Sequence, residues 1–185
     1  MRILCAGDSE TFSFAKPIGI GLINSSINLT SFISKENPKS LLFIGSAGSY
    51  GNLKPMDIFS SSSCGNVEIG YLLDNCYTPI DNMVRAKTKN VSCETTNKKD
   101  ILVNSSNYIT TNKIVANKFL ENGFEAENME FFSVLTVANK FNIPVLGIFI
   151  ITNYCDNNAH RDFIKNHSNA KERLTLHVEK QVSKI

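Results

Sequence analysis

Three polar segments of this sequence each follow a run of apolar residues, and their side chains are of kinds that bind small polar molecules. The segments are Gly-Asp-Ser-Glu from Gly7, Gly-Ser-Ala-Gly-Ser-Tyr-Gly from Gly45 and Thr-Asn-Tyr-Cys-Asp from Thr152. Glycine lets a ligand approach backbone N–H groups, and Ser46 adds a hydroxyl, so the second segment could hold an anion or a sugar. It has neither the Walker lysine nor the Rossmann glycine spacing, and a tight strand-to-helix turn explains it equally well.

Glu130, Asn153 and His160 are candidates for the chemistry itself, but each has an ordinary structural explanation when it is considered alone. Glu130 stands at the start of a predicted helix, where the helix dipole stabilises a carboxylate. Asn153 follows an apolar run and can form a hydrogen-bonded turn. His160, beside Arg161, is typical of an exposed polar pair. The residues around them must therefore decide between structure and function.

Hydrophobic periodicity predicts the strands and helices that would position these residues. Short apolar runs indicate buried strands, and apolar residues at every third or fourth position indicate helices with one face toward a core. Residues 60–99 show strand-like pieces and turns without a sustained period, so mixed strand and loop is predicted there. The predicted strands are 3–6, 41–44, 145–151 and one from Ile101; the predicted helices are one capped by Ser25 or Ser26, 113–121 capped by Asn112, 129–141 and 168–182.

This alternation of strands and helices predicts an α/β fold with a substantial parallel component, in a single domain over residues 1–185. Ligands of such sheets bind beyond the carboxyl ends of the strands. Each of the three polar segments directly follows a predicted strand, so we expect them to meet at one edge of the sheet.

The composition argues against several classes of partner and site. The 19 lysines and arginines nearly balance 17 acidic residues and are scattered, which does not favour nucleic-acid binding. No apolar segment approaches the ~20 residues of a membrane span, so we expect a cytoplasmic protein with a small-molecule or protein partner and no membrane contact. The five cysteines lack zinc-site spacing and are odd in number, which predicts reduced thiols and no metal.

The order and spacing of several motifs resemble the nucleoside phosphorylase superfamily, specifically purine nucleoside phosphorylases and methylthioadenosine/S-adenosylhomocysteine nucleosidases. The resemblance implies a three-layer α/β/α fold with a mixed central sheet and a purine nucleoside as substrate. It also implies inorganic phosphate as a possible co-substrate, no other cofactor, and a homodimer or higher homo-oligomer. The motifs are Gly7-Asp8, PIGIG at 17–21 with Ser25-Ser26, GSAG at 45–48, NYI at 107–109, NMEF at 128–131 and FNIPVLGIFIITNYCDNNAH at 141–160.

The same resemblance implies roles for the residues that would bind the nucleoside. Glu130 would accept hydrogen bonds from the ribose 2′ and 3′ hydroxyls and favour positive charge on the sugar, and Met129 would pack against the sugar. Tyr108 would stack on the purine, and Ile109 would present backbone groups to the base edge.

The residues expected to contact the nucleophile match the family pattern less closely. Gly7 and Ser46 fall where relatives contact phosphate or water. However, Thr11 and Phe43 stand where hexameric phosphorylases have arginines, so phosphate would lose its best bidentate partners. The resemblance therefore leaves the choice between phosphate and water open.

Two further departures concern proton transfer. Nucleosidases activate water with a first-loop glutamate; by count that position is Phe12, and Glu10 is the nearest substitute. Asn153 stands where many relatives carry an aspartate that protonates purine N7, and an amide can donate a hydrogen bond but cannot give up a proton. Trimeric phosphorylases that prefer 6-oxopurines, and futalosine hydrolases, have a similar asparagine, so a 6-oxopurine nucleoside is expected. Asn128 replaces another usual glutamate.

Three functional hypotheses follow from the resemblance. The first is a purine nucleoside phosphorylase-like enzyme that cleaves the N-glycosidic bond with phosphate, using Glu130, Asn153 and Glu10. The second is a hydrolytic nucleosidase of the futalosine or methylthioadenosine/S-adenosylhomocysteine type. The third is a nucleoside-binding homologue without catalysis.

Overall fold

A mixed sheet of nine strands runs through the computed structural model, which describes residues 1–87 and 100–182. The sheet is flanked by helices, in the three-layer α/β/α arrangement that the family resemblance implies. In chain order the elements are β1 (Arg2–Cys5), β2 (Lys16–Pro17), α1 (Gly21–Glu36), β3 (Leu41–Ser49), β4 (Ile58–Ser61), β5 (Ser63–Gly65), α2 (Ile69–Leu72), β6 (Met83–Arg85), β7 (Leu102–Asn104), α3 (Lys113–Glu121), β8 (Ala126–Glu127), α4 (Phe131–Lys140), β9 (Val145–Tyr154) and α5 (Ala159–Val182).

Strands β3 and β9 form the centre of the sheet. They pair in parallel from Leu41 and Val145 to Ser49 and Tyr154, and β1 pairs in parallel with the other edge of β3. Both strands are largely buried on both faces, which explains the apolar run that begins each of them. Antiparallel pairs of β4 with β9 and of β8 with β3 make the sheet mixed, as predicted.

Helices α1 and α4 cover one face of the sheet, and α5 covers the other. The first face buries residues such as Leu29 of α1 and Leu135 of α4, whereas the second buries Leu174 and Val178 of α5. Gly147 of β9 has no side chain because a Cβ there would lie 2.5 Å from the Phe149 ring and 2.7 Å from that of Phe131.

Both central strands are longer than predicted. The segment after Ile44, expected to be a glycine-rich loop, continues β3 to Ser49, and β9 continues through Asn153 to Tyr154. Glycine usually weakens a strand, but here it allows close packing, because a Cβ on Gly48 would lie 2.9 Å from Cys155 Sγ.

Two helices begin earlier than predicted. Helix α1 begins at Gly21, and Ser25 lies inside it with its hydroxyl donating to the Gly21 carbonyl at 2.6 Å, so a serine cap at Ser25 or Ser26 is wrong. Helix α5 begins at Ala159 instead of residue 168, after a turn in which Asp156 Oδ1 accepts from Asn158 N–H at 2.8 Å. The regular spacing of apolar residues, from which this helix was predicted, marks only the part of α5 that packs on the sheet.

Other predicted elements are confirmed closely. Asn112 caps α3 by accepting the Ile114 N–H at 2.8 Å, and α3 spans the predicted residues. The middle segment contains β4, β5, β6 and the short α2, while its residues 88–99 lie outside the described residues. Cys5, Cys64, Cys76 and Cys155 are free thiols. Within the described ranges, no helix is both long and apolar enough to cross a membrane.

Candidate active site

A cavity of about 280 Å³ opens beside the carboxyl-terminal parts of β1, β3 and β9. This is the sheet edge at which the polar segments were expected to meet. Its walls include every residue that the sequence singled out for nucleoside or nucleophile contact. These residues are Gly7, Glu10, Ser46, Tyr108, Ile109, Met129, Glu130 and Asn153.

Glu130 lies at the N-terminus of α4 and is 3% exposed. Its Oε1 accepts a hydrogen bond of 2.9 Å from the Gly21 N–H at the start of α1. Burial raises the pKa of Glu130 to about 7, the Gly21 N–H lowers it, and the nearby charge of Glu10 raises it. The carboxylate is therefore fixed by a helix N-terminus on one side and retains acceptor capacity for hydroxyl groups in the cavity.

Asn128, which replaces a glutamate of the resembled families, links the N-terminus of α4 to β3 by hydrogen bonds. Its Oδ1 accepts from the N–H groups of Glu130 and Phe131, each at 3.0 Å, and so caps α4 from outside the helix. Its Nδ2 donates to the Ser46 carbonyl at 3.1 Å. Asn128 thereby holds the Glu130 backbone against β3 in a way that a carboxylate, which has no donor when ionised, could not.

Of the two first-loop positions considered for activating water, Glu10 lines the cavity and Phe12 does not. The Ser46 hydroxyl donates to Glu10 Oε1, and the Ser46 N–H lies 3.3 Å from each carboxylate oxygen. Phe12 is buried instead in the apolar layer beneath α5. We call the group of Glu10, Ser46, Met129 and Glu130 the Glu130 end of the cavity.

Asn153 enters the cavity because β9 contains a bulge. The register shifts after Ala47, so that Gly48 pairs with Asn153 and Thr152 is the extra residue. A bulge redirects side chains relative to the regular alternation of a strand. The Asn153 Oδ1 accepts from the Thr152 hydroxyl at 2.8 Å, and Nδ2 donates to the Tyr154 carbonyl at 3.0 Å, which leaves one N–H of the amide for a ligand.

The mouth of the cavity is formed by exposed side chains. Tyr108 is 79% exposed and Ile109 is 53% exposed, and both lie in the loop after β7. Ile20 and His160 also line the cavity and are exposed, and Arg161 beside His160 pairs with Asp162 at 3.5 Å. The aromatic ring expected to stack on a base thus lies at the entrance.

Comparisons with known proteins identify the family. The phosphorylase superfamily model matches residues 14–183. The chain belongs to the phosphorylase superfamily. A comparison with curated proteins finds no match.

Solved structures of the superfamily share the fold at low sequence identity. A Helicobacter pylori MTAN-D198N mutant with 5′-methylthioadenosine in the active site is 17% identical, with 99% of this chain and 97% of that chain covered and a TM-score of 0.80. A futalosine hydrolase mutant of H. pylori strain 26695 is 19% identical, with 99% and 98% covered and a TM-score of 0.78. The Streptococcus pneumoniae 5′-methylthioadenosine/S-adenosylhomocysteine nucleosidase with a transition-state inhibitor is 14% identical, with 95% of each chain covered and a TM-score of 0.75.

The cavity of this superfamily member is acidic. Three carboxylates, Glu10, Glu127 and Glu130, line it, and none of its described lining residues is lysine or arginine. Phe43, at a position where the resembled hexameric phosphorylases have an arginine, is fully buried and packs against Phe131 at a ring separation of 6.1 Å. Among residues 1–87 and 100–182, no cluster of three metal-ligating side chains is suitable for a metal ion.

Glu127 is a cavity residue that the sequence reasoning missed. Its Oε1 accepts from the Thr110 N–H at 2.9 Å and its Oε2 from the Tyr50 hydroxyl at 3.0 Å. Burial raises its pKa, while these donors lower it. A signal was present in the sequence, because Glu127 stands three residues before Glu130 beside the NMEF motif, but its partner Tyr50 is distant in sequence.

Proposed function

We propose that the protein hydrolyses the N-glycosidic bond of a purine nucleoside, with water as the nucleophile. One observation carries this proposal: Glu10 is held by Ser46 in a cavity with two further carboxylates and no lysine or arginine among its described lining residues. A phosphate dianion would meet the Glu10 carboxylate there without a cationic partner, whereas a carboxylate is a suitable general base for water.

The Glu130 end supplies the groups that bind the sugar and activate the water. The Glu130 carboxylate binds the ribose hydroxyls and stabilises the positive charge that develops on the sugar as the bond to the base breaks. Glu10 accepts a proton from the water that attacks the sugar on the face opposite the departing base. Because the pKa of Glu130 is about 7, its ionised form requires neutral or higher pH before substrate binds.

A 6-oxopurine is the proposed base. The free N–H of Asn153 can donate to N7 or to the 6-oxo oxygen, and its carbonyl can accept from a protonated ring nitrogen. Asn153 is 6% exposed, so a base that left these groups unpaired would lose hydrogen bonds in a buried site. Inosine, guanosine and a hypoxanthine nucleoside such as futalosine fit this arrangement.

One assay distinguishes hydrolysis from phosphorolysis and from binding without catalysis. Purified protein is incubated with inosine, guanosine, adenosine, methylthioadenosine and futalosine, with and without phosphate, and free base, free sugar and sugar 1-phosphate are measured. Hydrolysis predicts equal base release in both buffers, with free sugar as the product. Sugar 1-phosphate formed only with phosphate would establish phosphorolysis instead, and binding without any release would leave a catalytically silent homologue.

A homo-oligomer is part of the proposal. Ile20, Ile23 and Ile27 are exposed at a spacing that places them on one side of the N-terminal part of α1, and Ile20 lines the cavity mouth with Tyr108 and Ile109. A second copy of the chain that covers this apolar surface would also cover the mouth. Light scattering should show a dimer or larger species, and Ile23→Glu should shift it toward monomer; a wild-type monomer would reject this part of the proposal.

A further inference from the structure

The proposed reaction leaves one proton without a donor. A purine departs readily only if a ring nitrogen is protonated as the bond to the sugar breaks, because the purine anion is a poor leaving group. Asn153 can donate a hydrogen bond but cannot transfer its amide proton. A superfamily member with this asparagine therefore needs another acid at the same end of the cavity, if the proposed function is correct.

Glu127 lies at that end. In the sheet, Gly48 of β3 pairs with Glu127 on one side and with Asn153 on the other. A Cβ placed on Gly48 would be 3.3 Å from Glu127 Cγ and 3.3 Å from Asn153 Nδ2, so the two side chains flank the same backbone position. Both line the cavity, and we call the group of Gly48, Glu127, Thr152 and Asn153 the Asn153 end.

We propose that Glu127 is the general acid that protonates the departing purine, while Asn153 orients the base by hydrogen bonding. Tyr50 and Thr110 each donate to one oxygen of Glu127 and fix the plane of its carboxyl group. The desolvation that raises its pKa enlarges the fraction of Glu127 that carries a proton near neutral pH.

The proposed step balances without a further reactant. The bond between C1′ and N9 breaks, its electron pair moves into the purine ring, and the Glu127 proton is transferred to a ring nitrogen. Water adds to C1′ and loses a proton to Glu10. After the neutral base and the sugar leave, Glu10 loses this proton to solvent and Glu127 regains one, so the sum is nucleoside plus water giving base plus sugar.

Other acidic groups near the Asn153 end are less suited to this role. Tyr50 and Cys155 do not line the cavity, and burial raises the pKa of each well above its usual value, so neither is a ready acid. His160 lines the mouth and is exposed, and no described hydrogen bond orients its ring. Glu10 and Glu130 belong to the other end and are assigned to water and ribose.

The test compares two substrates with different leaving groups. Inosine requires a proton on its base, whereas 4-nitrophenyl β-ribofuranoside releases a stable phenolate and requires none. For Glu127→Gln we expect kcat/KM to fall about 100-fold or more on inosine and to change less than about 3-fold on the nitrophenyl riboside. Glutamine preserves the shape of the side chain; its carbonyl oxygen can accept from the Thr110 N–H, and its amide N–H can donate to the Tyr50 hydroxyl oxygen, which reverses that bond. Glu121→Gln, on the exposed end of α3, is the matched control and should leave both rates unchanged.

Four results would overturn the proposal, and they differ in what else they reject. An equal loss on both substrates would assign Glu127 a purely structural role, and full activity on inosine would exclude it from the reaction. A loss confined to inosine in His160→Asn, with Glu127→Gln unaffected, would make His160 the acid. If wild-type protein hydrolyses neither substrate, the proposed function itself fails.

Discussion

The carboxylates of the Glu130 end and the amide of Asn153 are positioned in different ways. At the Glu130 end, the carboxylate is bonded to Gly21, which is 109 positions away in the sequence, and Glu10 is bonded to Ser46, which is 36 positions away. At the Asn153 end, the amide of Asn153 bonds only to its two chain neighbours, Thr152 and Tyr154, in the described contacts. The groups assigned to sugar and water therefore depend on the assembled fold, whereas the Asn153 amide is oriented by the local bulge of one strand.

The largest expected effect is at the Glu130 end. Glu10→Gln removes the proposed base for water but keeps an acceptor for the Ser46 hydroxyl, so kcat should fall by about 10²–10³-fold. Steady-state hydrolysis of inosine measures this. Asp8→Asn is the matched control, since Asp8 is in the same loop, is exposed, has a left-handed φ of 53° that asparagine tolerates and does not line the cavity. Equal losses in both variants would show that loop geometry, not the Glu10 carboxylate, matters.

Glu130→Gln should reveal the stability cost of a buried carboxylate. The pKa of Glu130 is raised from 4.5 to about 7, so the folded state keeps its proton over a pH range in which the unfolded state has lost it. The native state is thus destabilised as pH rises from 4.5 to 7, by up to about 3 kcal/mol. Glutamine removes this cost while retaining an acceptor for the Gly21 N–H.

Urea unfolding at pH 4.5 and pH 8 tests this expectation. The variant should be more stable than wild type at pH 8 and close to it at pH 4.5, although its hydrolysis of nucleosides should be severely impaired because ribose binding needs the charge. The exposed Glu121→Gln should show no such pH-dependent difference. A variant that is less stable at pH 8 would mean that the carboxylate stabilises the fold.

A smaller effect is expected at the Asn153 end, where substitution should alter the choice of base. In Asn153→Asp, an ionised carboxylate accepts from a 6-amino group and repels a 6-oxo oxygen. The ratio of kcat/KM for adenosine to that for inosine should therefore rise by about 10-fold or more. Competition between the two nucleosides measures the ratio directly. An unchanged ratio would place the base away from Asn153 and would remove the reason for proposing a 6-oxopurine.

The same distinction between neighbouring and distant partners explains what the sequence could predict. The central strands follow from their apolar runs, and α3 follows from its asparagine cap and its terminal Asn122-Gly123. Asn153 could be located because it directly follows the β9 run. In contrast, β3 extends through Gly45 and Gly48 by pairing with β9, which lies about a hundred positions later in the sequence, and Cys155 occupies the space beside Gly48.

The same limit applies to Glu130 and Glu127 in the site, because their hydrogen-bond partners are distant in the sequence. The resemblance supplied a role for Glu130, but nothing near it in the sequence indicates that Gly21 binds its carboxylate. Glu127 was missed because its partner Tyr50 is 77 positions away, and its burial depends on their packing together. Periodicity detects the face that an element turns toward the core, not the partner that a polar side chain finds across the sheet.

The smallest expected effect concerns Tyr108, which is 79% exposed at the mouth. If its ring stacks on the base, Tyr108→Ala should raise KM by about 5–10-fold with little change in kcat, because stacking stabilises the bound substrate and the transition state alike. Tyr77→Ala, at 87% exposure and away from the cavity, is the matched control and should change neither constant. A fall in kcat at constant KM would instead mean that Tyr108 contributes only in the transition state. Tyr108 at the mouth would then act, together with the residues of the two buried ends, in breaking the N-glycosidic bond.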